Sequence, residues 1–260
     1  MQLSADQFGQ FDQDGFLLFP GLLTDNEIAA MRDEIERLML FEDDCIIREG
    51  TGGEARTLFR VHEEDGSTAS QPFRDFSRSP RALGSARDVL EDDALYLHHT
   101  KINIKCGIEG TAWPWHQDFG QWHLDGIAKP DLVTLMVMLD AADELSGCLY
   151  FLPGSHRRGR IEPRWDETTP YRFLALPPRS AREAFADGAK PVAITGKPGD
   201  AALFHCNLFH ASGHNLSPDH RRQAYFCYNR VANRPQDVAD PRPEYVRSLN
   251  WAPLKMLEAA

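Results

Sequence analysis

His116 and Asp118 stand two residues apart in the run Trp113-Pro114-Trp115-His116-Gln117-Asp118-Phe119. On a strand, residues i and i+2 point to the same face. The pair therefore offers an imidazole nitrogen and a carboxylate oxygen to one metal ion. A third ligand is available much later in the chain. The segment 208–215 holds His210 and His214, and His205 lies just before it. Two histidines and one carboxylate on one face of an iron ion leave the opposite face open to a bidentate cosubstrate and dioxygen. An HxD tripeptide alone is a weak signal among ten histidines, so the elements around it carry the argument further.

Those elements divide the chain. The first forty residues read as helical. Ser4 with Gln7 and Thr24 with Glu27 have the spacing of capping boxes. After Thr24, the residues Ile28, Met31, Ile35 and Leu38 repeat at helical spacing. Residues 15–20 form a short apolar strand ended by Pro20. Residues 41–80 are polar and are expected to be partly loop. From about Leu95 the pattern changes to short strands, at 96–104, 132–139, 147–155, 191–194, 201–204 and 223–228, separated by Gly, Pro, Asn and Asp. Helices precede the strands and do not alternate with them, which argues against a parallel α/β fold. The expectation is one domain over 1–260. It has a helical part over about 1–90, a β core over about 91–232, and an insertion over about 156–190 that is a candidate lid.

Composition bounds the function. The net charge is −11 over 260 residues, which argues against nucleic-acid binding through a basic surface. No stretch approaches the ~20 apolar residues of a membrane span. The N-terminal residues lack the basic and apolar regions of a secretory signal. Cys45, Cys106, Cys148, Cys206 and Cys227 include no CxxC pair. They read as small hydrophobes in a reducing compartment, so the cytoplasm is expected. The sequence sets no oligomeric state.

Three segments together resemble the phytanoyl-CoA dioxygenase family of iron(II)/2-oxoglutarate oxygenases. They are Trp115-His116-Gln117-Asp118, the run 149–156 (LYFLPGSH) and the run 210–218 (HASGHNLSP). The resemblance runs from the N-terminal helix through Asn229. It implies a mainly β fold with flanking helices, a double-stranded β-helix or cupin-like jelly roll. It implies Fe(II), with 2-oxoglutarate and O2 as cosubstrates. It selects His210 as the third ligand and leaves His205 structural. The family places a 2-oxoglutarate-binding arginine eleven residues after the distal histidine, here Arg221. A planar guanidinium grips a carboxylate through two parallel hydrogen bonds. Arg222, its neighbour, would point the other way, and periodicity alone does not say which of the two faces inward. Asn103, Thr134 and Ser212 are further candidates for 2-oxoglutarate by the same resemblance. Each also has a structural reading, as a strand-edge, buried-strand or turn residue. The pattern is nearest to ectoine hydroxylase and the hydroxylases of free proline or leucine, carried by residues 98–103, 113–122 and Asp125-Gly126. The chain is one residue shorter before Asp-Gly than some of these. Lys101 shares the face of Asn103. Lys101, Trp122 and Arg230 are candidates for the substrate pocket, although a surface position suits Arg230 better.

The reaction expected is hydroxylation of an unactivated C–H bond in a small molecule, such as an amino acid, an amino-acid derivative or a natural-product intermediate. Asp118 fills the position that related halogenases leave vacant for halide. Desaturation, cyclisation and epoxidation use the same site and stay open. A zinc hydrolase with these ligands needs a general base, and no HExxH-type sequence supplies one. A non-catalytic jelly-roll binding protein has no need of an intact triad together with Arg221.

Overall fold

Ser4 and Thr24 each start a helix, α1 (Ala5–Asp14) and α2 (Asp25–Leu38). In both, the cap hydroxyl accepts the N3 amide proton while the Gln7 or Glu27 side chain accepts from the cap amide. This exchange satisfies donors that a helix N-terminus leaves open. α2 buries Ile28, Met31, Ile35 and Leu38. Gly15 ends α1 at φ +84°, and a Cβ there would lie 2.5 Å from the His156 ring. Both the backbone and the space demand glycine. The structure, a computed structural model, describes residues 2–48, 53–167 and 173–258.

Two antiparallel sheets follow. The larger contains β1 (Phe16–Phe19), β2 (Ile46–Arg48), β3 (Ala55–Phe59), β4 (Leu95–Lys105), β6 (Leu132–Met138), β11 (Ala201–His205) and β13 (Arg221–Arg230). Its order is β1-β11-β6-β13-β4-β3-β2. The smaller contains β5 (Trp113–His116), β7 (Leu149–Phe151), β10 (Val192–Ile194) and β12 (His210–Ser212), in the order β10-β7-β12-β5. An antiparallel pair of β8 (Arg164–Asp166) and β9 (Phe173–Ala175) stands apart. This is the jelly roll expected from the sequence.

The central strands of the large sheet are buried on both faces. On β6, Val133, Leu135 and Val137 join a cluster with α2, α3 (Gln71–Ser77) and α4 (Ala82–Leu90), while Met136 and Met138 pack between the sheets. β13 alternates likewise, with Ala224, Phe226 and Tyr228 toward the helices and Tyr225 toward the small sheet. Burial on both faces removes the apolar–polar alternation that would reveal direction.

Two segments hold more regular structure than their composition suggests. Residues 41–80 carry β2, β3 and α3, and residues 156–190 carry β8, β9 and α6 (Pro178–Ala186). Strands of three to five residues are too short to print a period. Residues 49–52 and 168–172 of these segments lie outside the described residues.

Candidate active site

β5 and β12 are neighbours, and His116 stands opposite His210 in their register. The ring centroids are 3.9 Å apart. Each Nδ1 lies within hydrogen-bond distance of the carbonyl two residues earlier, His116 to Pro114 at 2.8 Å and His210 to Leu208 at 2.9 Å. A carbonyl can only accept, so each Nδ1 carries the proton and each Nε2 presents a lone pair. Burial pushes both imidazoles below their ordinary pKa; His210 adds to this for His116, while Asp118 opposes it for His210. Both rings are therefore neutral, as metal ligands must be.

Asp118 is not a strand residue. β5 ends at His116, and Asp118 is the first residue of a short helix, α5 (Asp118–Trp122). Gln117 between them is extended, at φ −118° and ψ 134°. The two-residue alternation therefore persists through it, and the carboxylate reaches the face of His116. Gln117 is itself locked: its amide donates to the carbonyls of Gly159 and Asn207, and its oxygen accepts from the Ile161 amide, all at 2.8 Å. Asp118 Oδ1 lies 4.0 Å from His116 Nε2 and 3.8 Å from His210 Nε2. The Thr134 hydroxyl donates to Asp118 Oδ2 at 3.4 Å. All three ligand atoms lie within 4.8 Å of one another and are buried. These three atoms would hold one metal ion. Imidazole and carboxylate donors in this number suit iron(II).

A cationic cradle adjoins the triad. β4 and β13 pair so that Lys105 faces Arg221, Asn103 faces Gln223 and Lys101 faces Tyr225. Arg221 is 1% exposed, donates to Gln223 Oε1, and leaves Nε with no partner. Lys105 is 2% exposed and donates to Ser212 Oγ at 2.8 Å and to the Gly213 carbonyl. Neither has a carboxylate partner among the described residues. Burial, together with the charges of Arg221 and Arg56, pushes the Lys105 ammonium down to about 6. Asn103 accepts from the Thr57 hydroxyl at 3.4 Å, and the Tyr225 hydroxyl donates to Gln223 Oε1 at 2.8 Å. Arg222 points the other way, bound to Asp140 at 2.8 Å and Glu36 at 2.7 Å. The direction that periodicity left open is thus decided: Arg221 is inside.

A small cavity opens over Asp118, walled by Phe59, Trp113, Trp122 and Phe173. Lys101 enters it with its Nζ 5.5 Å from the Trp113 ring centre and 5.1 Å from that of Tyr225. Trp122 packs edge-on against His98 at 5.7 Å. Arg230 is not brought to the site. It lies nine residues along β13 from Arg221, about 30 Å at strand rise, where it donates to the Leu90 carbonyl and faces Asp131 at 3.7 Å. His205 accepts the Asn207 amide proton at 3.0 Å and packs on His156, and His214 is exposed. A cavity of about 770 Å³ between α2 and α3 is lined by none of these groups. Lys105, Tyr225 and Gln117 add to the residues singled out from the sequence. Only Lys105 had a readable signal, since it continues the face of Lys101 and Asn103 by one more step of two.

A jelly roll holding two histidines and an aspartate beside a buried cationic cradle is the frame of a non-haem iron, 2-oxoglutarate-dependent dioxygenase. Residues 11–224 match the phytanoyl-CoA dioxygenase (PhyH) family, and the chain belongs to it. It is 33% identical to an ectoine dioxygenase of Nocardia farcinica over 97% of this chain and 88% of that one. It is 34% identical to that of Halomonas elongata, over 94% and 76%. The crystal structure of EctD from S. alaskensis with 2-oxoglutarate and 5-hydroxyectoine superposes with a TM-score of 0.82 at 29% identity, covering 98% of this chain and 87% of that one. The form of that protein with bound Fe gives 0.82 at 28% identity, with the same coverage.

Proposed function

We propose that the chain hydroxylates an unactivated C–H bond of a small carboxylate-bearing molecule, an amino acid, amino-acid derivative or similar intermediate, with ectoine the first candidate. One observation carries the site assignment. Arg221 and Lys105 are buried side by side with no carboxylate partner among the described residues, and Lys105 donates to Ser212, two residues along β12 from His210 of the triad. A buried guanidinium without a counterion is costly, and the Lys105 amine beside it takes up a proton once a carboxylate arrives; a dicarboxylate with a chelating 2-oxo end answers both halves of the site. In this reading His116, Asp118 and His210 hold iron, and Arg221 with Lys105 receives the far carboxylate of 2-oxoglutarate. Asn103, Ser212 and Tyr225 complete its hydrogen bonds, and Thr134 acts through Asp118. Bound iron and 2-oxoglutarate supply dioxygen activation.

The chain's own groups do the rest. His116 and His210 keep their protons on Nδ1 and their lone pairs inward. Phe173, edge-on to His116 at 4.6 Å, and Trp122 exclude water. Lys101 meets the carboxylate of the substrate. Residues 156–190 act as the lid. Phe173 packs edge-on against Trp113 at 5.1 Å, and the Leu176 amide donates to the Trp115 carbonyl at 2.8 Å, so that segment is drawn over β5. The whole of 1–260 works as one catalytic domain, and five cysteines with no CxxC pair among them suit the cytoplasm. The ectoine candidate rests on the names of the relatives. The test is anaerobic binding of Fe(II) and 2-oxoglutarate, then aerobic incubation with ectoine and free amino acids. Succinate formed together with a product one oxygen atom heavier is expected. Iron-loaded protein that forms no succinate above background with any of them overturns the reading.

A further inference from the structure

After β13 the chain does not stop contributing to the site. Residues 234–248 run back across the mouth of the cavity as a strap, with only a short 3-10 turn at Glu244–Val246. They lie beyond the segment that matches the family. The strap is pressed against the turn after α5: the Gln236 amide donates to the Gly126 carbonyl at 3.0 Å, and a Cβ on Gly126 would sit 2.0 Å from the Gln236 carbonyl oxygen. Its far end is tied by the Ser248 amide to the His98 carbonyl at 2.8 Å. In the middle, Arg242 grips the buried Asp125 through Nε at 3.0 and 3.1 Å, Nη2 at 2.6 Å and its own amide at 3.2 Å. His98 Nε2 lies 3.4 Å from the same carboxylate, and Val246 offers its carbonyl to His99 Nδ1. Arg242 and Val246 both line the cavity over Asp118.

We propose that this strap is the substrate-side wall of the active site and that the Asp125–Arg242 pair latches it, making both positioning residues that set primary-substrate affinity and the coupling of 2-oxoglutarate oxidation to product. The inference rests on the active-site reading above. The latch is built as a lock. Asp125 is fully buried and takes its charge compensation from Arg242, so an open strap leaves a buried carboxylate unpaired. Closure is strongly favoured for that reason. Arg221 and Lys105 hydrogen-bond to Gln223, Ser212 and Gly213, none of them in the strap, so the cosubstrate end is independent of it.

The test compares wild type with Arg242→Lys, Arg242→Gln and the double variant Asp125→Asn/Arg242→Gln, which leaves no lone buried charge. Hydrogen exchange of residues 242–248, 2-oxoglutarate affinity, KM for ectoine and the succinate-to-product ratio are measured. In Arg242→Gln and the double variant, exchange at the strap rises tenfold or more. KM and the ratio rise by a similar factor, while 2-oxoglutarate affinity stays within twofold; Arg242→Lys recovers part of each. If wild type does not turn over ectoine, the substrate reading fails on its own. The rate of succinate formation from 2-oxoglutarate alone then decides the strap, a faster rate in the variants supporting it and an unchanged one overturning it. Unchanged exchange, unchanged KM and ratio, or a parallel loss of 2-oxoglutarate affinity each overturns the proposal.

Discussion

At Lys105 an ammonium group is buried with Arg221 across the strand pair and the charge of Arg56 also set against it. Its pKa of about 6 lies below the ordinary lysine value. Above pH 6 the empty site therefore holds a neutral amine, and a bound carboxylate restores the proton. Affinity for 2-oxoglutarate should fall as pH rises above 6, by up to about tenfold per unit, since one proton is taken up on binding. Calorimetry in buffers of different ionisation enthalpy measures that proton, and Lys105→Met should abolish the slope. The same variant should stabilise the empty protein at pH 7. Between pH 6 and the ordinary lysine value the unfolded chain binds a proton that the folded chain does not, so the lysine destabilises the fold there. Arg221→Lys should weaken 2-oxoglutarate binding about 10–100-fold, the worth of one charged bidentate contact. Arg222→Ala should leave it within twofold, because that side chain serves Asp140 and Glu36. The reverse result in a titration sinks the assignment of Arg221.

The elements place these groups with unequal clarity. α2 was legible in its start and its buried face, because a capping box and four apolar positions at helical spacing all fall within one continuous stretch. β13 was legible as a strand but not in its facing, since Phe226 and Tyr225 are both buried, on opposite faces. Asp118 reached the correct face from a helix N-terminus and not from a strand, because Gln117 stays extended. Two element-level outcomes are expected. Phe226, stacked with Phe73 and Phe76 between sheet and helix α3, is a pure packing residue. Phe226→Ala should cost about 3–5 kcal/mol of stability in urea unfolding while leaving the iron-to-ligand stoichiometry unchanged. Thr134→Val removes the hydroxyl that β6 aims at Asp118. Iron affinity should fall about 10–100-fold, as for other losses of a partner to a metal ligand, with circular dichroism unaltered.

For the whole molecule, the acidic surface and the cationic interior are separate facts. The net charge of −11 argues against nucleic acid, yet Lys101 lines the cavity over Asp118, and Lys105 and Arg221 are buried opposite each other on β4 and β13. Among the described residues no helix is long and apolar enough to cross a membrane. Ligands that complete the buried cradle should stabilise the fold by mass action. Saturation to about 100 times Kd contributes about 2.7 kcal/mol, or a rise in Tm of roughly 5–10 °C for a chain of this size. Anaerobic melting with Fe(II) and 2-oxoglutarate should show this rise, and a chelator should reverse the part due to iron. A Tm that ignores both ligands contradicts the site.

The ligand types, the helical N-terminus, the run of short strands and, through three separated segments, the family can all be read along the chain. Those properties are local, or repeat at fixed spacing, so they survive in one dimension. The folded chain alone settles that Arg221 and not Arg222 faces inward, that Arg230 lies at the far end of its strand, that Lys105 sits across from Arg221, and that Arg242, from beyond Asn233, lines the cavity. Each of these depends on strand register or on contacts across more than a hundred residues, such as Asp125 with Arg242. A spacing rule carries no information at that range.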